Sequence, residues 1–123
     1  MSTITPTTTR IPGGALKVVW SNMANGDVGS PVENAAYADR SVQVSGTFGA
    51  GGTAVIEGTI NESTYATLND MGAAALSLTS AAIKSIMDVP VKIRPSITAG
   101  DGTTSITVAM IMRRNTGDTS DFL

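Results

Sequence analysis

The chain has 123 residues, of which 15% are charged, and its formal net charge is −2 at pH 7. This length fits one domain, and the charge balance provides no basic surplus to attract nucleic acid over long range. Cysteine and histidine are both absent, which excludes disulfides, thiolate chemistry, and the commonest general base and metal ligand.

The N-terminal residues lack a basic region followed by an apolar run, so we expect no signal peptide. No stretch reaches the ~18 apolar residues that a membrane-spanning helix needs, and we expect no membrane partner. Synthesis in the cytoplasm is therefore expected. The low content of charged residues is typical of a subunit that packs against neighbours in an assembly.

Residues 1–13 are rich in threonine and proline and end in Pro12-Gly13-Gly14. Both residue types favour an extended backbone, so this segment is predicted to be an extended N-terminal arm. Residues 14–114 are predicted to form the folded domain. Residues 115–123 are predicted to be a polar C-terminal tail that ends in Phe122-Leu123.

Within the domain, short runs with period-2 alternation predict β-strands. The predicted strands are 15–20, 42–48, 53–60, 65–68, 76–79, 91–98 and 103–113. The glycine-rich segments 49–52 and 99–102 predict hairpin loops between consecutive strands. Pro95 lacks a backbone donor, so its strand is predicted to lie at a sheet edge or to carry a bulge there.

Residues 80–88 are predicted to form one short helix. Ser80 is a suitable N-cap, and Ile83, Ile86 and Met87 share one helical face at spacings of three and four. Pro90 would end the helix. Seven or eight strands with frequent turns and a single helix predict an all-β fold, an antiparallel and jelly-roll-like β-sandwich.

The chain offers little chemistry. Ser80 and Lys84 would meet on the predicted helix as a serine–lysine pair, but an N-cap and a solvated lysine are the favoured explanation. Asn25, Asp27 and Glu33 contain calcium-type oxygens, but their spacing matches no ligand loop. The other acids lie mostly in turns, where they bond the local backbone. We therefore expect no catalytic residues, no cofactor and no metal.

The candidate binding residues lie at the two ends of the chain and in a predicted basic patch. Lys92, Arg94 and Arg113 fall on the polar sides of neighbouring strands, where they form either a solvated face or a contact with an acidic partner. The full set of candidate partner-binding residues is Thr7, Thr8, Arg10, Ile11, Lys92, Arg94, Arg113, Phe122 and Leu123.

Two segments carry a resemblance to a known family. They are Val42-Gln43-Val44-Ser45-Gly46-Thr47-Phe48, continuing through 54–59 to 65–70, and Ile93-Arg94-Pro95-Ser96-Ile97-Thr98, continuing to Val108. Together they resemble the head decoration, or capsid cement, proteins of tailed bacteriophages over residues 15–114. The resemblance implies a jelly-roll-like fold and non-covalent clamping of neighbouring capsid subunits, and it provides no ligand residues to transfer.

The resulting hypothesis is a virion structural protein on the outer surface of a phage capsid. Its expected partners are the major capsid protein and further copies of itself, as a homodimer or homotrimer. The alternative is a carbohydrate- or receptor-binding β-sandwich module of a phage tail, because some bacterial carbohydrate-binding sandwiches have a similar succession of strands and turns. That alternative predicts that at least two of Trp20, Tyr37 and Tyr65 are exposed together.

Overall fold

The computed structural model describes residues 2–114. They form twelve strands, and none of them lies in a helix. The strands are β1 (Thr3–Ile4), β2 (Thr7–Ile11), β3 (Ala15–Met23), β4 (Val28–Gly29), β5 (Val32–Glu33), β6 (Asp39–Thr47), β7 (Thr53–Thr59), β8 (Ala66–Thr67), β9 (Ser77–Leu78), β10 (Ala82–Ser85), β11 (Lys92–Ala99) and β12 (Ser105–Arg113). Accordingly, no membrane-crossing helix occurs within the described range.

The strands form two sheets that pack as a sandwich. The five-stranded sheet has the order β10-β6-β12-β3-β2, and all of its neighbouring strands are antiparallel. The seven-stranded sheet is built around β11 and β7, with β1, β4, β5, β8 and β9 at its sides. Only the pairing of β1 with β4 is parallel among the described strands. The predicted all-β, mostly antiparallel architecture is confirmed.

The core lies between the two sheets. Along β12, Ile106, Val108, Met110 and Met112 are all buried, which confirms the predicted alternation of this strand. Across the sandwich they join a single cluster with side chains from β7 and β11. Each fully buried aliphatic side chain contributes roughly 1.5–3 kcal/mol of transfer free energy. The alternation of the long strands therefore fixes which face of each sheet points inward.

The predicted helix over residues 80–88 is wrong. This segment contains β10, which extends the five-stranded sheet by pairing with β6. Ile86 is buried, but Ile83 is 68% exposed, so the two do not share a packed face. A nine-residue helix is marginal on its own. The edge of β6 satisfies the backbone groups of β10 instead, and the N–H of Ile86 donates to the carbonyl of Arg40 at 2.9 Å.

The two predicted hairpins are also wrong. Segment 49–52 joins β6 to β7 and segment 99–102 joins β11 to β12, and in each case the two strands belong to different sheets. Both segments are therefore crossovers at one end of the sandwich. Turn residues predict where a chain reverses, but they do not reveal which sheet receives the next strand.

Asp101 ties these two crossovers together. Its carboxylate accepts hydrogen bonds from the N–H of Ala50 at 2.9 Å and from the N–H and hydroxyl of Thr103 at 2.9 and 2.6 Å. These donors hold the pKa of Asp101 at about 2, the Thr103 hydroxyl being the largest cause. Beside it, the hydroxyl of Thr104 donates to the carbonyl of Phe48 at 2.8 Å.

Pro95 lies in a central strand, not at a sheet edge as predicted. β11 pairs with β7 on one side, where Pro95 faces Ile56, and with β4 and β5 on the other. The backbone of Ile56 bonds to Leu76 and Leu68, away from β11. The proline nitrogen therefore points toward the second side, at the interruption between β4 and β5, where a missing donor costs nothing. The irregularity in β11 lies between Ile97 and Ala99 instead.

The N-terminal segment is extended, and it is paired with the domain. β1 adds to the seven-stranded sheet and β2 adds to the five-stranded sheet, so residues 3–11 pass from one sheet to the other. The buried carboxylate of Asp27 fixes the start of this segment by accepting from the N–H of Ser2 at 2.9 Å. These residues are part of the sandwich and also form one of its edges.

Candidate docking surfaces

The outer face of the five-stranded sheet is weakly charged and partly apolar, and we call it the β12 face. Strand register places its residues in rows that cross all five strands. One row is Ile83, Gln43, Ala109, Val19 and Thr7, and the next is Ser85, Ser41, Ile111, Lys17 and Thr9. Ile83 and Ile111 are 68% and 41% exposed, so the face presents two large apolar side chains to solvent.

Two shallow depressions lie on the β12 face. One, of about 210 Å³, is lined by Lys17, Gln43, Ile83, Ala109 and Ile111 among others. The second, of about 380 Å³, shares Ile111 and extends to Asp39, Arg113 and Met71. A surface of this shape and polarity suits a protein partner better than a small molecule, because ligand pockets enclose most of their ligand.

The outer face of the seven-stranded sheet is, by contrast, held by ion pairs. The Nζ of Lys92 lies 3.0 Å from the Oε1 of Glu62 and 3.7 Å from the Oε2 of Glu33. Its hydrogen bond to Glu62 is the main reason that the pKa of Lys92 is raised. Arg94 donates to Glu57 at 2.9 Å, and its guanidinium carbon lies 3.6 Å from the centroid of the Tyr65 ring. These pairs are partly solvated, so they add little stability, and covering them with a partner would carry a desolvation cost.

The structure does not assemble the predicted basic patch. Lys92 and Arg94 lie on β11 and face acidic neighbours, whereas Arg113 lies on β12 in the other sheet. Arg113 has its own partner, Asp39, at 3.6 Å. Sequence reasoning could not reveal these acids, because register alone brings Glu57 opposite Arg94.

The other candidate residues of the N-terminal segment form one open edge. Thr7, Thr8 and Arg10 are exposed on β2, and Ile11 is half-buried. β2 is the last strand of its sheet, so its side away from β3 has no strand partner among residues 2–114. A five-residue open edge is a template for pairing with a strand of another chain. Phe122 and Leu123 lie outside the described residues.

The two exposed isoleucines of the β12 face were not predicted from the sequence. Ile111 stands on the polar side of β12, and this departure from the alternation was a readable signal. Ile83 was predicted to lie on the packed face of a helix, so its exposure to solvent was not expected. Its position became visible only through the pairing of β10 with β6.

The remaining candidates do not form a chemical site. Without a helix, Ser80 and Lys84 lose the spacing that would join them, and both are exposed. Trp20 is fully buried, and its ring N–H donates to the carbonyl of Ser30 at 3.0 Å, so it is not available to stack on a sugar. Within residues 2–114 no group of three or more acidic side chains could hold a metal ion.

A third depression, of about 660 Å³, lies beside β7 and β8 and is lined in part by Asn61, Asp88 and Pro90. The Asp88 carboxylate accepts from the N–H of Asn69 at 2.8 Å, which explains its position structurally. Exposed Ile60 and Val89 stand at its rim. The depression is open and contains no paired catalytic groups.

Comparison with known proteins yields a fold likeness alone. No family model matches the chain, and no curated protein matches it. Among solved structures, the SPBc2 prophage-derived protein YomS is 12% identical, with a TM-score of 0.59 over 85% of this chain and 98% of that chain. Protein NMB1881 from Neisseria meningitidis is 7% identical, with a TM-score of 0.44 over 88% of this chain and 81% of that chain. The sandwich described above is thus similar in fold to a prophage-derived protein.

Proposed function

We propose that the chain is a virion structural protein that binds the outside of a phage capsid. There it bridges neighbouring subunits of the major capsid protein and stabilises the head. In this proposal it acts by binding, without catalysis, and is made in the host cytoplasm. Support comes from the resemblance of its strand and turn segments to head decoration proteins. The similar fold of a protein described as prophage-derived agrees with this origin.

The observation that carries the mechanism is the open edge of β2. Residues 7–10 of the strand are exposed, and β2 lies at the end of its sheet, with the hairpin turn at Pro12-Gly13-Gly14 next to it. A strand of a capsid subunit that pairs with this edge would gain main-chain hydrogen bonds without needing a deep pocket. The threonine side chains keep the edge polar, so it does not require apolar burial in the free protein.

Thr8 and Arg10 are the residues through which this edge is best tested. Register pairs them with Val18 and Leu16, which places them on the side of the sheet opposite the β12 face. A charge added at Thr8 therefore alters the edge and leaves the β12 face unchanged. Deleting residues 1–13 is a poorer test, because it removes two strands of the sandwich.

The experiment is co-sedimentation of the purified chain with empty capsids of the phage or prophage that encodes it. We expect saturable binding by the natural chain, and binding at least about tenfold weaker for Thr8→Asp, a loss of roughly 1.4 kcal/mol. Thr98→Asp is the matched control, because Thr98 is equally exposed but lies on β11 of the other sheet. Its binding should be unchanged.

Two results would count against the proposal in different ways. If the natural chain does not bind capsids, the proposed function is wrong. If Thr8→Asp and Thr98→Asp bind equally well, the capsid contact lies elsewhere and the β2 edge is not part of it. Circular dichroism of each variant verifies that the sandwich is folded.

A further inference from the structure

We propose that the β12 face is where a second copy of this chain packs, face to face and related by a twofold axis parallel to β12. The pairing itself does not depend on the proposed function, but its consequence for bridging does. β12 is the middle strand of five, and Ile111 on its outer side is exposed. An axis along β12 brings Ile111 of each copy together at the centre of the contact.

Two charged residues of this face, Lys17 and Asp39, complement each other across such an axis, whereas Arg113 lies on β12 itself and is paired with Asp39 of its own copy at 3.6 Å. Lys17 lies on β3, on one side of β12, and Asp39 lies on β6, on the other side. Rotation about an axis along β12 exchanges these sides, so each Lys17 comes over the Asp39 side of the other copy. The two residues are one row apart, about 7 Å along the strands, a distance that a lysine side chain spans.

The pairing state of Lys17 agrees with this arrangement. Lys17 is exposed and has no ion-pair partner among residues 2–114, whereas Lys92 and Arg94 on the opposite sheet are paired with acids. Asp39 is bound to Arg113 through a single exposed contact of 3.6 Å, which leaves it open to a second cation. Complementary charges of this kind set the register of an interface more than its affinity.

The same rotation also covers the second exposed isoleucine. β10 and β2 are the two outermost strands, so Ile83 of one copy comes over Thr7 and next to Val19 of the other. Sheets packed in this way lie about 10 Å apart with their strands nearly aligned. Burying the outer face of the seven-stranded sheet instead would desolvate its ion pairs, which are costly to remove from water.

A twofold pair would also explain how a small domain bridges two subunits. Each copy has one open β2 edge, and the axis along β12 places the two edges on opposite sides of the pair. Four strand spacings separate them, roughly 19 Å. Once one β2 edge has bound a capsid subunit, the second edge is held close to the neighbouring subunit. Its binding is then favoured by a high effective concentration, which a single domain lacks.

The test is the oligomeric state in solution, measured by sedimentation equilibrium without capsids. We expect the natural chain to form dimers, and Ile111→Asp to raise the dimer dissociation constant at least about tenfold by placing a charge at the centre of the contact. Ile60→Asp is the control, since Ile60 is 76% exposed and directly follows β7, a strand of the other sheet. It should dimerise as the natural chain does.

A charge exchange tests the geometry itself. Lys17→Asp and Asp39→Lys should each weaken self-association, because like charges then meet at both symmetry-related contacts. Mixing the two variants should restore dimers, because a mixed pair again has opposite charges at both contacts. A purely structural effect of either substitution would not be rescued by mixing.

The following results would overturn the proposal: a natural chain that is monomeric or trimeric, Ile111→Asp that dimerises as well as Ile60→Asp, or a mixture that stays monomeric. These failures are distinct from failure of the proposed function. A monomer that still binds capsids refutes the twofold pair alone, and a dimer that does not bind capsids refutes the capsid role alone.

Discussion

Replacing Arg40 tests how the sandwich holds the segment that follows β10. The side chain is 4% exposed and donates to the carbonyls of Asp88 and, at 3.3 Å, Ile86. Burial lowers the pKa of Arg40, and the nearby carboxylates of Asp88 and Asp39 offset this only in part. The Nε–H is buried and has no hydrogen-bond partner within residues 2–114. Arg40→Met keeps the aliphatic part of the side chain and removes all three donor nitrogens.

The expected change in the free energy of unfolding is the difference between the hydrogen bonds that are lost and the unpartnered buried donor that is removed. Hydrogen bonds from a charged donor are worth about 1.5–3 kcal/mol each, so losing two costs about 3–6 kcal/mol. Removing the unpartnered donor returns about 1–3 kcal/mol. Taking the middle of each range, we expect Arg40→Met to lower the free energy of unfolding by about 2.5 kcal/mol.

Urea denaturation monitored by the fluorescence of Trp20 measures this loss. Arg10→Met is the control, because Arg10 is exposed on β2 and its replacement should change stability by less than about 0.5 kcal/mol. An Arg40→Met chain as stable as the natural one would refute the reasoning. It would mean that the desolvation of the buried cation outweighs its two hydrogen bonds.

Two further predictions concern the crossovers and the core. Asp101 has a folded-state pKa of about 2, lowered from 3.8, so its ionised form stabilises the fold above about pH 4 and this contribution is lost as the pH falls toward 2. Asp101→Asn should therefore be less stable than the natural chain near neutral pH, and thermal melts should show the difference shrinking between about pH 4 and pH 2; a difference that is constant with pH would contradict this. In Gly29→Ala the added Cβ would lie 2.6 Å from Trp20 and Pro95. Overpacking of this kind should cost about 1–3 kcal/mol in urea denaturation, whereas Gly102→Ala, which meets nothing within 4 Å, should be nearly neutral. Equal losses in the two glycine variants would contradict the packing argument.

The local hydrophobic pattern was sufficient to predict buried residues in a strand that has one face toward the core and one toward solvent. The alternation of β12 predicted its four buried residues because a half-buried strand has a period of two. The same reasoning failed for β10, where spacings of three and four over nine residues favoured a helix. The segment forms a strand because it pairs with the edge of β6, and this tertiary contact cannot be inferred from the local pattern.

Sheet membership was the second limit. The segments around Gly49–Gly52 and Ala99–Gly102 have turn residues suited to hairpins, but both carry the chain across the sandwich. The contact that makes this possible, from the carboxylate of Asp101 to the backbone of Ala50, joins positions 51 residues apart. Long-range pairing also neutralises Lys92 and Arg94, which from the sequence alone were predicted to form a basic patch.

The proposed docking surfaces were predicted only in part from the sequence. The threonine-rich N-terminal segment was predicted to bind a partner, and the structure shows that it contains the edge strand β2. The β12 face was not identified, because it needs the register of five strands to bring Ile83, Ile111 and Lys17 onto one surface.

The measurement that most directly tests the capsid role is the thermal stability of phage heads with and without the added chain. Heads that lack the protein are saturated with the purified chain, and the temperature at which they release DNA is recorded. We expect the bound chain to raise this temperature, because it bridges neighbouring subunits, and Thr8→Asp at the same concentration to leave it unchanged. Release at an unchanged temperature under saturating natural chain would contradict the central claim.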